Sequence, residues 1–150
     1  MLSSKFHKNK YKLQSPYLEK HLQGKICRWW KDNKKEYKEL LGSIGEVKLV
    51  TGGTLAFSKF EDQQLPSLYK ASHEGLYHKL TDASLGFKPA DFFIAKDGFI
   101  FCQFWKNNQQ EIAYYMNIRI AMKIKKAGMK SLKEQDFMLL GETINLEKYK

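Results

Sequence analysis

The sequence predicts an α/β domain with a mixed central β-sheet flanked by helices. Three observations lead there. Apolar residues recur at helical spacing around 18–30, 65–69 and 118–124. Short runs rich in Val, Ile and aromatic residues, such as Phe92-Phe93-Ile94-Ala95 and Phe99 to Trp105, have strand character. The two kinds of segment interleave along 150 residues with no repeat and no linker, so a single domain over 1–150 with one core is expected.

Taken in order, residues 1–14 are basic and polar and are expected to form a flexible arm. Ser15-Pro16 supplies an N-cap followed by proline at the first helical position. Leu18, Leu22, Ile26 and Trp29/Trp30 then mark a helix running to about Lys31. A short second helix is expected over Lys34 to Leu41, closed by Gly42. Gly45 to Val50 reads as a strand ended by Thr51-Gly52-Gly53. Ser58-Lys59-Phe60-Glu61 has the form of a capping box for a helix that carries Leu65, Leu68 and Tyr69 and stops near Gly75. Pro66 fits that helix only in its first turn or at a kink. Leu76 to Leu80 follows as a strand. Two β-rich runs around Asp97-Gly98 predict a hairpin. Ile112 to Met116 is a further strand, Asn117 caps a helix stopped at Gly128, and Ser131-Leu132-Lys133-Glu134 opens another to about Leu140. A tail strand is expected over Thr143 to Leu146.

Lys and Arg outnumber Asp and Glu by 26 to 16, a net charge of +10. An excess of this size suits contact with a phosphate backbone. Solubility alone is the plainer explanation, although acidic residues serve it better. The lysines are spread over the chain rather than gathered in one amphipathic helix, which argues against a membrane surface as partner. No apolar run approaches the ~20 residues of a membrane span. The first residues lack the apolar stretch of a secretory signal. Cys27 and Cys102 stand in no ligand or disulfide spacing. A reducing cytoplasm, the cell's own or that of a phage's host, is the expected compartment.

The chemistry points to Glu46-Val47-Lys48. On a strand, residues i and i+2 share a face, so Glu46 and Lys48 project together. The second copy, Glu36-Tyr37-Lys38, falls in an expected helix, where the two side chains diverge, and reads as a solvated pair. A carboxylate beside a lysine suits phosphodiester hydrolysis. The carboxylate offers hard oxygen to Mg²⁺ or Mn²⁺, and the lysine can orient a water or balance developing charge. One carboxylate does not hold the ion alone. Asp91, in Lys88-Pro89-Ala90-Asp91, is a candidate second ligand.

The run GEVKLVTGG…FSKFEDQQLPSL, with the later YHKLTDASLGFKPADFF, resembles the core of PD-(D/E)xK Holliday-junction resolvases over about residues 44–105. The resemblance implies a PD-(D/E)xK-like fold and a Mg²⁺-dependent endonuclease acting on branched DNA, with a four-way junction as substrate and a homodimer as the working form. It implies Glu46 and Asp91 as metal ligands, Lys48 as the catalytic lysine and Gln64 as the supporting helix glutamine. Glu19 and Asp82 are further acidic contributors. Lys5, Lys8, Lys10, Lys12, Lys79 and Lys88 are the expected DNA contacts.

In most of that family the Asp strand precedes Glu-x-Lys, whereas Asp91 follows it, so the site would be permuted. A rival register keeps the usual order and makes Phe99 to Trp105 the Glu-x-Lys strand. Gln103 and Trp105 then take the functional positions, and the chain becomes a non-catalytic nucleic-acid binder with a degenerate nuclease fold. A structural protein with incidental basicity is the third reading. Asp91 also suits an Asx-type turn, and Gln64 an ordinary first-turn helix position. His7, His21, His73 and His78 show no metal-ligand spacing. Trp29 and Trp30 are adjacent, so one anchors the core while the other is available to stack on a base.

Overall fold

A computed structural model describes residues 3–79, 92–106 and 111–149. It is mixed α/β, with a mixed sheet flanked by helices. Helix α1 covers Ser3–Asn33, followed by β1 (Ile44–Val50), β2 (Thr54–Ala56), α2 (Gln64–His73), β3 (Leu76–Lys79) and β4 (Phe92–Ala95). The chain continues through β5 (Gly98–Phe104), β6 (Ile112–Asn117), α3 (Ile118–Lys126), β7 (Ser131–Lys133), α4 (Glu134–Leu140) and β8 (Glu142–Asn145). The main sheet has the order β1-β5-β6-β8, with β1 parallel to β5 and the other neighbours antiparallel. β2 pairs with β7, and β3 with β4, as two antiparallel ribbons.

Strand alternation divides the core into two layers. On one face Val50, Ile100, Cys102, Phe104, Tyr114 and Met116 pack against Leu65 and Leu68 of α2, Ile118 and Ala121 of α3 and Phe137 of α4. On the other, Leu49, Phe99, Ala113, Tyr115 and Ile144 meet Leu22, Ile26 and Trp29 of α1. β5 lies between the two layers and between β1 and β6, which explains its nearly unbroken apolar sequence. No helix among the described residues is long and apolar enough to cross a membrane.

Several local expectations are corrected. α1 does not start at Ser15-Pro16. It begins at Ser3, so residues 3–14 are helical backbone rather than an irregular arm, and Pro16 lies inside the helix at the cost of one main-chain hydrogen bond. The expected helix over 34–41 is a single 3-10 turn at Lys38–Leu40, and Gly42 after it has φ 73°. Asp97-Gly98 is not a hairpin turn: β4 pairs back with β3, while β5 enters the main sheet. Asp97 is instead a junction. Its carboxylate accepts the Gly98 N–H (2.8 Å) and Asn117 Nδ2 (2.9 Å), and its carbonyl accepts the Ile44 N–H (2.9 Å).

Neither capping box forms at its expected serine. Phe57–Lys59 is a 3-10 turn, and α2 starts later, at Gln64, with Pro66 in its first turn. Ser131 belongs to β7, which pairs with β2, and α4 starts at Glu134 with the Lys133 N–H donating to the Asp136 carboxylate (2.7 Å). Asn117 does cap α3, its Oδ1 accepting the Arg119 N–H (2.9 Å), and Gly128 follows the helix with φ 91°.

Candidate active site

β1 is an edge strand of the main sheet, and its alternation sends Glu46 and Lys48 toward α2 while Val47 and Leu49 turn toward α1. The Lys48 ammonium lies 3.0 Å from Glu46 Oε1, the two side chains being 10% and 26% exposed. The ammonium also sits 5.2 Å from the centre of the Phe60 ring, a cation–π distance. Phe60 follows the 3-10 turn, whose closure is marked by the Phe60 N–H donating to the Phe57 carbonyl (3.3 Å).

Gln64, the first residue of α2, completes the group. Its Nε2 donates to Glu46 Oε1 (2.9 Å), while its own Oε1 accepts the Glu61 N–H (3.0 Å). The second bond sets the amide's orientation, because only the NH₂ group is then left to face the carboxylate. Lys48 and Gln64 therefore converge on one oxygen of Glu46. Among the described residues, Oε2 of Glu46 has no hydrogen-bond or ion-pair partner.

Glu19 reaches the same strand from α1. Its Oε1 accepts the Leu49 N–H (3.1 Å), a donor that β5 does not use. Four sequence-predicted site residues, Glu19, Glu46, Lys48 and Gln64, thus gather on or beside β1. Asp82, Asp91 and Lys88 lie outside the described residues. Lys79 is in β3, and Lys5, Lys8, Lys10 and Lys12 are in α1. Among the described residues no three acidic, His or Cys side chains form a metal-holding group. The donor chemistry nevertheless fits a hard divalent cation, for which Glu46 Oε2 is a carboxylate oxygen with no competing partner among those residues.

Other groups sharpen the picture. Glu36 and Lys38 are both exposed, as expected of a solvated pair. Gln103 is buried and donates to the Ile112 carbonyl (3.3 Å); it and Trp105 have the strand parity of the α1 face, away from Lys48. Trp29 is core, and Trp30 is half-buried beside a cavity of about 190 Å³ between α1 and the start of β1. Cys102, in register with Lys48, is a thiol whose pKa burial drives far up, so it is no nucleophile.

Sequence reasoning missed Phe60 and a cluster on α4. There Glu134 accepts the Tyr114 hydroxyl (3.1 Å) and pairs with Lys106 (2.6 Å). Burial, with Glu134 second, pushes the Tyr114 phenol up to about 12. No spacing in the chain signals either feature, since both arise from contacts between distant elements. Comparison of the chain with protein-family models, with characterised proteins and with solved structures finds no match.

Proposed function

We propose that this chain is a Mg²⁺- or Mn²⁺-dependent endonuclease that hydrolyses phosphodiester bonds in branched DNA, with a PD-(D/E)xK-like fold and a four-way junction as substrate. The observation that carries the reading is the convergence of Lys48 and Gln64 on one oxygen of Glu46. The net charge of +10 supports a polyanionic substrate.

In this reading Glu46 would hold the metal, with Asp91 as partner ligand and Glu19 and Asp82 as candidate further acids. A bound metal supplies Lewis acidity and a water of lowered pKa. Gln64 fixes the Glu46 carboxylate, so its free lone pairs keep one direction. Lys48, largely desolvated and backed by Phe60, presents a fixed positive charge where the phosphate's charge grows. The proposal includes a homodimer, since paired incisions in a junction of near two-fold symmetry need two related sites, and action in a cytoplasm.

The test is incubation with four-way, forked and linear DNA, with and without Mg²⁺. Wild type should cut the branched substrates only with metal. Glu46→Gln and Lys48→Met should stop incision while binding persists, and Glu36→Ala should cut normally. Full Mg²⁺-dependent activity in Glu46→Gln would overturn the assignment. Binding without incision under any metal would favour the non-catalytic reading.

A further inference from the structure

Between Glu111 and Glu134 the chain carries Arg119, Lys123, Lys125, Lys126, Lys130 and Lys133 and no carboxylate. The structure brings part of this charge, Lys125, Lys126 and Lys130, beside Phe57 and Tyr69. Arg119 is occupied, its guanidinium donating to the Ser72 carbonyl, and Lys133 leads into α4. Lys123, Lys125 and Lys126 fill the last turn of α3, Lys130 lies just beyond it, and all four are exposed.

This surface adjoins the candidate site. Lys125 lies 5.7 Å from the centre of the Phe57 ring, and the Phe57 N–H donates to the Lys130 carbonyl (3.0 Å). Phe57 opens the 3-10 turn that leads to Phe60, the ring beneath Lys48. Lys59, exposed, is in that same turn. Lys126 lies over the Tyr69 ring of α2 (5.4 Å). One 3-10 turn thus links Lys48 to Lys125 and Lys130.

Lysines in the last turn of a helix favour its dipole, which gives Lys123, Lys125 and Lys126 a local use. It gives none to Lys130 or Lys59, which lie outside the helix. The apolar side chains of α3 are spent in the core: Ile118 and Ala121 are buried and Ile120, Met122 and Ile124 pack beside them. The helix therefore keeps no apolar face to lay into a bilayer, and its charge suits a partner that is anionic and held from outside.

We infer that Lys125, Lys126 and Lys130, with Lys59, bind the phosphates of the duplex flanking the strand held at Lys48. This deepens the nuclease reading and rests on it for what occupies Lys48. Phosphate contacts set register and orientation without reading sequence, so this surface would aim the scissile strand and stay indifferent to base composition.

The experiment measures fluorescence anisotropy of a labelled 20-base-pair duplex in EDTA, as a function of salt. The variants are Lys125→Gln/Lys126→Gln/Lys130→Gln, called the α3 variant, and a control of equal charge change, Lys34→Gln/Lys35→Gln/Lys38→Gln. Each lost phosphate contact should lower the log–log salt slope by about 0.9, so the α3 variant should lose roughly 2–3 and the control almost nothing. The corresponding triple Arg variant should keep the wild-type slope, and matching melting temperatures exclude misfolding. Salt-dependent wild-type binding with equal slopes in both Gln variants would overturn this inference and leave the nuclease reading standing. Loss of slope in the α3 variant without any metal-dependent cleavage by wild type would support the surface and sink the catalytic reading. No salt-dependent duplex binding by wild type, or capture by anionic vesicles alone, would overturn both.

Discussion

Gly98→Ala tests how tightly the packing of α2 is coupled to the candidate site. Gly98 is the first residue of β5 and is buried. A Cβ there would lie 2.9 Å from both the carbonyl carbon and the Cα of Leu68, and closer still to its oxygen. Ordinary carbon contacts begin near 3.4 Å. The obstacle is helix backbone, which cannot rotate aside as a side chain can, so α2 must retreat by at least ~0.5 Å. Overpacking of this kind costs about 1–3 kcal/mol. At this chain length each kcal/mol lowers Tm by roughly 2–4 °C, which gives a fall of roughly 2–12 °C. The same displacement acts on Gln64, one turn before Leu68. Its 2.9 Å bond to Glu46 would stretch toward the limit of a hydrogen bond. The assay is thermal melting by circular dichroism, with the Gln64 side-chain amide resonances followed by NMR. Gly52→Ala is the control, because a Cβ at Gly52 meets nothing within 4 Å. If Gly98→Ala melted with wild type and left the Gln64 resonances unmoved, the coupling of α2 packing to the site would be refuted.

Asn117→Ala removes both the α3 cap and the bond to Asp97, and should cost about 1–2 kcal/mol in denaturant unfolding; an unchanged midpoint would rule the cap out as a stabiliser. Tyr114 keeps its proton in the folded state up to about 12, whereas in the unfolded chain it releases it near 10. The unfolded state binds fewer protons in that window, so stability is intact below pH ~10 and falls as pH rises toward 12. Tyr114→Phe should flatten this alkaline loss, and a melting series as steep as wild type would contradict the assignment. Glu19→Ala frees the Leu49 N–H, so amide exchange at Leu49 should quicken by about tenfold or more, a bond to a charged acceptor being worth roughly 1.5–3 kcal/mol. Unaltered exchange there would show that Glu19 does not hold the strand.

The central part of the candidate site was legible because it obeys local rules. Two-residue strand parity puts Glu46 and Lys48 on one face, and a glutamine at the start of the following helix needs only a turn to reach them. The pairing of Asp97-Gly98 was not legible. Turn propensity favours a hairpin, but a strand apolar on both faces gains more by lying between two helical layers, and that gain appears only once α1 and α2 are in place. Ser58 and Ser131 failed as caps for a related reason. Each has the side chain for the role, but a 3-10 turn claimed the first and pairing with β2 the second. Phe60 carried no signal, because an aromatic ring becomes a platform for a cation only through the contact itself.

The β3–β4 ribbon carries a consequence of its own. It is inserted between two strands, β1 and β5, that are direct neighbours in the main sheet, and its strands pair with each other rather than with that sheet. To the sheet it is a loop that has to be closed, and closure entropy rises by only about 0.6 kcal/mol for each doubling of loop length. Its length can therefore vary at small thermodynamic cost while β1 keeps its register with β5 and Glu46 keeps its distance from Lys48. In the proposed assignment Asp82 and Asp91 are both encoded between β3 and β4. Exchanging residues 76–95 for a flexible linker of comparable length would then divide the protein's two tasks, leaving the sheet and the Glu46–Lys48 pair while withdrawing the second carboxylate. Ligand geometry and scaffold stability would thus be free to change independently, by insertion and deletion as well as by substitution.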